Sequence, residues 1–283
     1  MKRLILVLGI VSGVWACDRA SSSPSTPSPV PPSTPQPAVL RPIVGYVSDT
    51  AFRPVVGASV QLVDGPQAGT TTTSDVSGYF SYDGTFSMPV TLRATKDGYA
   101  PATVPALVLT DGRAYASFQL GSVTPPVGIG GSYTLTITAD SACTTLPDDV
   151  RTRTYRAAVI AATNTRAPAG TSFNGTVAGA QFAPHANLFW VGVFGDYVST
   201  STIGEGPSIV EQVGPNRYIA FMGEAGLSVG SAGTSTISAP FKGTIEYCEL
   251  KSAIGQYYDC SPELAAVREE CTSNNGQLTL TRQ

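Results

Sequence analysis

The sequence predicts an all-β protein in which two β domains follow a tether. Three observations predict it. Short runs alternate apolar and polar side chains with a period of two, as in half-buried strands: Val60 and Leu62 against Gln61, then Tyr133, Leu135 and Ile137 against Thr134, Thr136 and Thr138. Gly (29) and Pro (22) are plentiful while charged residues make up only 13% of the chain, a composition suited to many strands joined by tight turns. The composition also shifts abruptly twice, at the Ser/Pro/Thr tract 20–37 and at "GSVTPPVGIGG", which separates the two blocks of alternating runs.

The tether begins with residues 1–17. Lys2 and Arg3 precede an apolar run from Leu4 to Trp15, too short to span a bilayer, and Ala16 leads into Cys17. Val14, Ala16 and Cys17 together resemble a bacterial lipoprotein signal with its lipobox. The resemblance implies cleavage before Cys17, acylation of Cys17 and a lipid bilayer as partner. It thus implies an exported, cell-envelope location, with the periplasmic or surface face left open. Residues 18–40 are expected to be a disordered linker, because Ser, Pro and Thr bury too little apolar area to offset ordering entropy. Loss of Lys2 and Arg3 with the leader leaves 15 basic against 20 acidic residues, a net charge of about −5. That balance argues against nucleic acid as a partner.

With Cys17 assigned to lipid, Cys143, Cys248, Cys260 and Cys271 remain, an even number in an exported chain, which predicts two disulfides among three possible pairings. Zinc is the competing reading, but the C-x-x-C spacing is missing and the single histidine lies far away in sequence.

Residues 41–121 form the first domain. Strand-like runs are punctuated by "DGP", "DVSG", "YDG" and "KDGY". The order of Gly45 and Val47, Pro54 with Gly57 and Ala58, Asp75 with Gly78-Tyr79-Phe80, and Asp97-Gly98-Tyr99 resembles the carboxypeptidase regulatory-like family. The resemblance implies a seven-stranded transthyretin-like β-sandwich, related to carbohydrate-binding-like folds, and no catalytic set. Tyr46, Tyr79, Tyr82 and Tyr99 are read mainly as core or rim residues, with a sugar-stacking platform as the functional alternative.

Residues 122–130 are expected to be a joint and residues 131–283 an antiparallel barrel or closed sandwich, only loosely lipocalin-like, with one short helix over "SPELAAVREEC". There Ser261 would cap and Pro262 would occupy the first helical position. If the last strand closes on the first with Leu280 opposite Leu135, the constant index sum of an antiparallel pair brings residue 143 opposite residue 272. That register pairs Cys143 with Cys271 and leaves Cys248 for Cys260.

No catalytic constellation emerges. "GLSVG" matches G-x-S-x-G, but a helical period does not follow it and His185 precedes the serine. His185 is read as a surface or capping residue in a loop, Asp148-Asp149 as a turn, Glu269-Glu270 as a solvated helix face, and Gly128–Gly131 as linker. No cofactor or metal is expected. "NLFWVGVFG" reads as a core strand. Its functional alternative makes Trp190 and Phe194 the wall of an apolar pocket in the barrel. The expected role is therefore a non-enzymatic binding or scaffolding module for a protein or glycan, with a small apolar ligand carrier as the alternative.

Overall fold

The structure is a computed structural model, and it describes residues 40–163, 167–204, 207–229, 235–253 and 258–283. Cys17 and linker residues 18–39 lie outside them, while Leu40, the last residue expected in the linker, opens the first strand. Among the described residues the chain forms nineteen strands and a single 3-10 turn at Asp148–Val150.

The first domain is a sandwich of two four-stranded sheets, plus a ribbon of β1 (Leu40–Arg41) and β6 (Phe86–Ser87). One sheet runs β5 (Tyr79–Ser81), β2 (Ile43–Asp49), β10 (Ala114–Leu120), β9 (Leu107–Val108). The other runs β4 (Thr71–Thr73), β3 (Ser59–Leu62), β7 (Thr91–Thr95), β8 (Ala102–Pro105). The seven strands expected thus become eight in the two sheets, because the edge carries the two-residue β9. β2 and β10 run parallel, with Val47 opposite Phe118. Alternation places Ile43, Val47, Val60, Leu62, Phe80, Leu92 and Phe118 in one apolar core between the sheets. Gly45 is obligatory in that core: a Cβ there would stand 1.8 Å from the Ala116 carbonyl oxygen and 2.7 Å from the Phe80 ring, which covers the glycine from the neighbouring strand.

The second domain is a closed eight-stranded barrel in which sequence neighbours pair antiparallel around the circumference. Its strands are β11 (Gly131–Thr138), β12 (Thr152–Ala161), β13 (Ser172–Ala178), β14 (Phe182–Phe194), β15 (Tyr197–Ser201), β16 (Ile209–Gly214), β17 (Arg217–Ser228), β18 (Thr236–Leu250) and β19 (Ala265–Arg282). β15 and β16 share one lane between β14 and β17, separated by residues 202–208. β19 closes the barrel on β11 in the register expected from the sequence, Leu280 opposite Leu135. The disulfides are Cys143–Cys271, with Cα atoms 5.5 Å apart, and Cys248–Cys260.

Inward residues of every lane fill the lumen, among them Tyr133, Tyr155, Phe173, Phe189, Phe221 and Phe241. Again an aromatic ring covers a glycine: a Cβ on Gly175 would stand 2.2 Å from the ring of Phe189, its cross-strand partner. The two barrel ends are stopped differently. At one end the segment 139–151 folds inward, burying Cys143, Leu146 and Val150 in the core. At the other the expected joint does the stopping: Ile129 is buried with the lumen residues and its carbonyl accepts the Tyr133 hydroxyl at 2.6 Å.

The helix expected over 261–271 is absent. Its first turn forms, with the Ala265 N–H donating to the Ser261 carbonyl at 2.9 Å. From Ala265 the chain then joins β19, pairing Glu269 with Tyr247 and Arg268 with Cys248. Helix propensity there is worth only a few tenths of a kcal/mol per residue. A ladder along β18, tied down by Cys248–Cys260 and Cys143–Cys271, outweighs it.

The domains also pack together. Asp49 Oδ1 accepts the backbone N–H groups of Ala51 and Arg53, shaping the turn that follows β2. That turn sits on β14, where the Thr50 hydroxyl donates to the Val193 carbonyl and the Arg53 guanidinium lies 4.0 Å from the Tyr197 ring centroid. Gly192 permits the approach, since a Cβ there would meet the Thr50 carbonyl oxygen at 2.3 Å.

Candidate functional site

Alternation along β2, β5 and β10 turns one set of side chains into the sandwich core and the other outward. The outward set is Val44, Tyr46 and Ser48 on β2, Tyr79 and Ser81 on β5, and Tyr115, Ser117 and Gln119 on β10. Cross-strand register places Tyr46 beside both Tyr79 and Ser117. Tyr46 and Tyr79 meet edge to face, with centroids 5.3 Å apart, and Tyr46 is 46% exposed. These outward positions carry aromatic rings, hydroxyls and an amide, and none is charged. Beside Tyr115 the face runs into a shallow apolar groove of about 100 Å3 between Val104, Pro105 and Leu107.

The four tyrosines singled out in the sequence therefore separate. Tyr46 and Tyr79 share the solvent face. Tyr82 is buried, and its hydroxyl donates to the Val60 carbonyl at 2.7 Å. Burial pushes the Tyr82 phenol up to about 12. Tyr99 packs against Phe194 with centroids 4.9 Å apart, at the contact between the domains.

Trp190 and Phe194 do not line the lumen. The alternation expected for "NLFWVGVFG" is present, but the inward face is the other one, carrying Phe189, Val191 and Val193. The outward face of β14 is half-buried by neighbouring structure. Phe194 meets Tyr99 and Arg53, while the Trp190 ring lies against Gly204, where a Cβ would stand 2.9 Å from it. Period-two alternation fixes which residues share a face and leaves open which face turns inward. A strand whose outer face is also covered shows apolar residues on both.

Two buried carboxylates of the barrel went unrecognised in the sequence. Glu211 is 3% exposed and points into the lumen from β16. It accepts hydrogen bonds from Arg153 on both oxygens, through Nε at 2.7 Å and through Nη2, and from the Tyr155 hydroxyl at 2.8 Å. Burial, followed by the neighbouring Glu211 charge, pushes the Tyr155 phenol well above its ordinary value. The hydrogen bond to Glu211 likewise raises Arg153. A signal was present: Glu211 interrupts the apolar "SIVEQV", and Arg153 is in register with inward Tyr155, Ala157 and Val159.

Glu246, 4% exposed, sits on the outer wall of β18 under the loop closed by Cys248–Cys260. The Tyr258 hydroxyl donates to it at 2.7 Å and Arg268 donates to its other oxygen at 2.9 and 3.1 Å. Burial raises its carboxyl above the usual carboxylate range. Arg268 also pairs with Glu270, so one guanidinium bridges two carboxylates at the edge of an open cleft of about 420 Å3. Arg268 thus ties β18 to β19, and the Tyr258 hydroxyl on Glu246 ties the loop to that wall. An acid–base pair needs one lone pair aimed at a substrate.

The remaining sequence candidates fall elsewhere. Ser228 of "GLSVG" ends strand β17, opposite Tyr197. His185 lies within β14, not in a loop. It is exposed and takes a positive φ of 60° where the pairing of β14 with β16 shifts register. Asp148 and Asp149 open the 3-10 turn, and Glu269 and Glu270 lie on strand β19. Among the described residues, groups of three or more His, Cys, Asp or Glu that could hold a metal ion are absent.

A sandwich with parallel β2 and β10, joined to a disulfide-bonded closed barrel, defines a two-part all-β protein whose disulfides point to an oxidising, exported environment. Residues 42–121, which span the sandwich, match the model of the carboxypeptidase regulatory-like domain. No curated protein matches the chain.

Proposed function

We propose that the protein is an exported lipoprotein, held at a bacterial membrane through acylated Cys17, whose sandwich binds a carbohydrate ligand on the Tyr46–Tyr79 face without catalysing a reaction. One observation carries the reading: an exposed tyrosine pair set among Ser48, Ser81, Ser117 and Gln119 on an uncharged face. Sugar rings offer C–H groups to aromatic faces and hydroxyls to neutral hydrogen-bonding side chains, and they gain little from charge. Tyrosine supplies such contact at low cost in side-chain entropy. The lumen packed with aromatic rings supports a structural role for the barrel in place of an apolar-ligand carrier.

The test is retention of the full-length protein on immobilised glycans and polysaccharides. Tyr46→Ala is expected to weaken retention by about tenfold or more, as at a central aromatic contact. Its effect on stability should stay within about 0.5 kcal/mol, because the ring is half exposed. If the wild-type protein is retained on no glycan, or the Tyr46 variant is retained equally, the carbohydrate reading falls. Metabolic labelling with a palmitate analogue, lost in Cys17→Ala, tests the anchor separately.

A further inference from the structure

The two poles of the sandwich differ. One carries the 49–53 turn and Tyr99 and is covered by the barrel. The opposite pole is where the chain comes in from the N-terminal side, at β1, and where β9 and the turn 109–113 lie. The Ala114 N–H donates to the Pro42 carbonyl at 2.8 Å, and the Arg41 guanidinium reaches Gly112. At this pole three consecutive apolar residues face solvent: Leu107 at 49%, Val108 at 50% and Leu109 at 38% exposure. β9 pairs with β10 only through Leu107 and Val108, so the run forms a short edge that turns back at Leu109.

Single exposed apolar residues need no explanation, but a run of three at the tip of an edge is the kind of surface soluble domains avoid. About 22 residues separate Cys17 from Leu40. A tether of that length confines the domain to within tens of ångströms of its anchor. It presents the pole that bears the tether at an effective concentration in the millimolar range. A weak interfacial insertion, negligible for a free domain, is populated under those conditions, because tethering makes it an intramolecular event.

We infer that Leu107, Val108 and Leu109 form a second membrane contact, dipping into the headgroup–acyl boundary of the bilayer that holds Cys17. The inference rests on the lipoprotein reading above. It adds an orientation: the stalk-bearing pole lies against the membrane and the barrel points away. The contact is apolar in kind. Arg113 at this pole is already paired with Asp111. Anionic lipid is therefore not required.

The experiment uses the full-length, acylated protein in phosphatidylcholine vesicles whose acyl chains carry bromine, which quenches nearby tryptophan. Val108→Trp is compared with Val76→Trp, a position 81% exposed in the turn between β4 and β5 near the covered pole, after subtraction of the wild-type signal from Trp190. The tryptophan at 108 is expected to lose about half its emission, consistent with shallow insertion, and the one at 76 little. Leu107→Ser combined with Leu109→Ser should remove the quenching while Cys17 keeps its label. Equal quenching at both positions in acylated protein overturns the inference and leaves the anchor standing. Absence of the Cys17 label overturns the anchor. A concentration-dependent dimer that Leu107→Ser and Leu109→Ser abolish would reassign the edge to self-association and also overturn the inference.

Discussion

The sandwich and the barrel bury their cores by different means. In the sandwich two sheets stack, each covering the other's inner face, and its buried polar groups find partners: the Tyr82 hydroxyl on the Val60 carbonyl, the Ser74 hydroxyl on the Val55 carbonyl and Asp49 on Arg53. No described disulfide lies in it. The barrel removes its sheet edges by closure, but closure leaves two open ends. Residues 139–151 stop one of them with little regular secondary structure, so their backbone has few ladder hydrogen bonds to hold it. Other links take that role: Cys143–Cys271, the Asp140–Ser273 hydrogen bond, Arg151 donating to the Leu146 and Thr144 carbonyls, and Arg217 near Asp149. Covalent and ionic clamps appear where ladder bonding runs out.

The barrel depends most on its long disulfide. Replacing Cys143 and Cys271 by Ala is expected to cost the barrel up to about 5 kcal/mol in the chain-entropy account, since the bond closes a separation of 128 residues. The same change at Cys248 and Cys260, 12 residues apart, should cost about 3 kcal/mol. Denaturant unfolding under non-reducing conditions reads both. Similar losses at the two sites would show that native-state packing, not loop closure, sets their worth.

Glu211→Gln comes next. It removes the charge that holds Arg153 and is expected to destabilise the barrel by about 3 kcal/mol. The added substitution Arg153→Met should restore part of the loss, because an apolar side chain in the lumen leaves no buried charge unpaired. If both variants unfold like the wild type, the ion pair is not what organises that end of the barrel.

Alkali acts on the sandwich through Tyr82. Folding raises Tyr82 above its unfolded value near 10, to about 12. A group raised by folding gives its full stabilisation below the unfolded pKa and loses it as pH climbs through the folded one. Between pH 10 and pH 12 the sandwich should therefore lose about 2 to 3 kcal/mol on account of Tyr82. Stability measured across that window in wild type and Tyr82→Phe checks this. The variant should lack that part of the slope while keeping any contribution from Tyr155 in the barrel.

The smallest expected effect lies between the domains. Thr50→Val removes the hydrogen bond to the Val193 carbonyl and should cost about 1 kcal/mol. Calorimetry should show the two domains melting further apart. A single unchanged transition would mean that Arg53 on Tyr197 and Tyr99 on Phe194 already suffice to couple them.

Local rules made much of this protein legible. Period-two alternation exposed the strands, glycine-bearing turns marked their ends, and the Leu135–Leu280 register followed from the constant index sum of an antiparallel pair. The failures share a cause. "SPELAAVREEC" satisfies helix rules, and its first turn forms, but its fate was decided by β18 lying alongside. Trp190 and Phe194 share a face as alternation requires, and only the closed barrel determines that this face is outside. The Tyr46–Tyr79 pair was among the tyrosines considered, yet sequence could not separate it from buried Tyr82. Glu211 and Arg153 lie 58 residues apart and meet only because the barrel closes.

By itself the sequence determined the class of fold and the module at residues 42–121, which depend on spacing along the chain or on composition, and it paired the cysteines once closure of the last strand on the first was assumed. Only the tertiary structure decided which face of each strand meets solvent, which carboxylates find cations, and how the joint and residues 139–151 stop the barrel. Those outcomes depend on contacts between distant segments, whose free energies exceed the few tenths of a kcal/mol per residue that local propensity supplies.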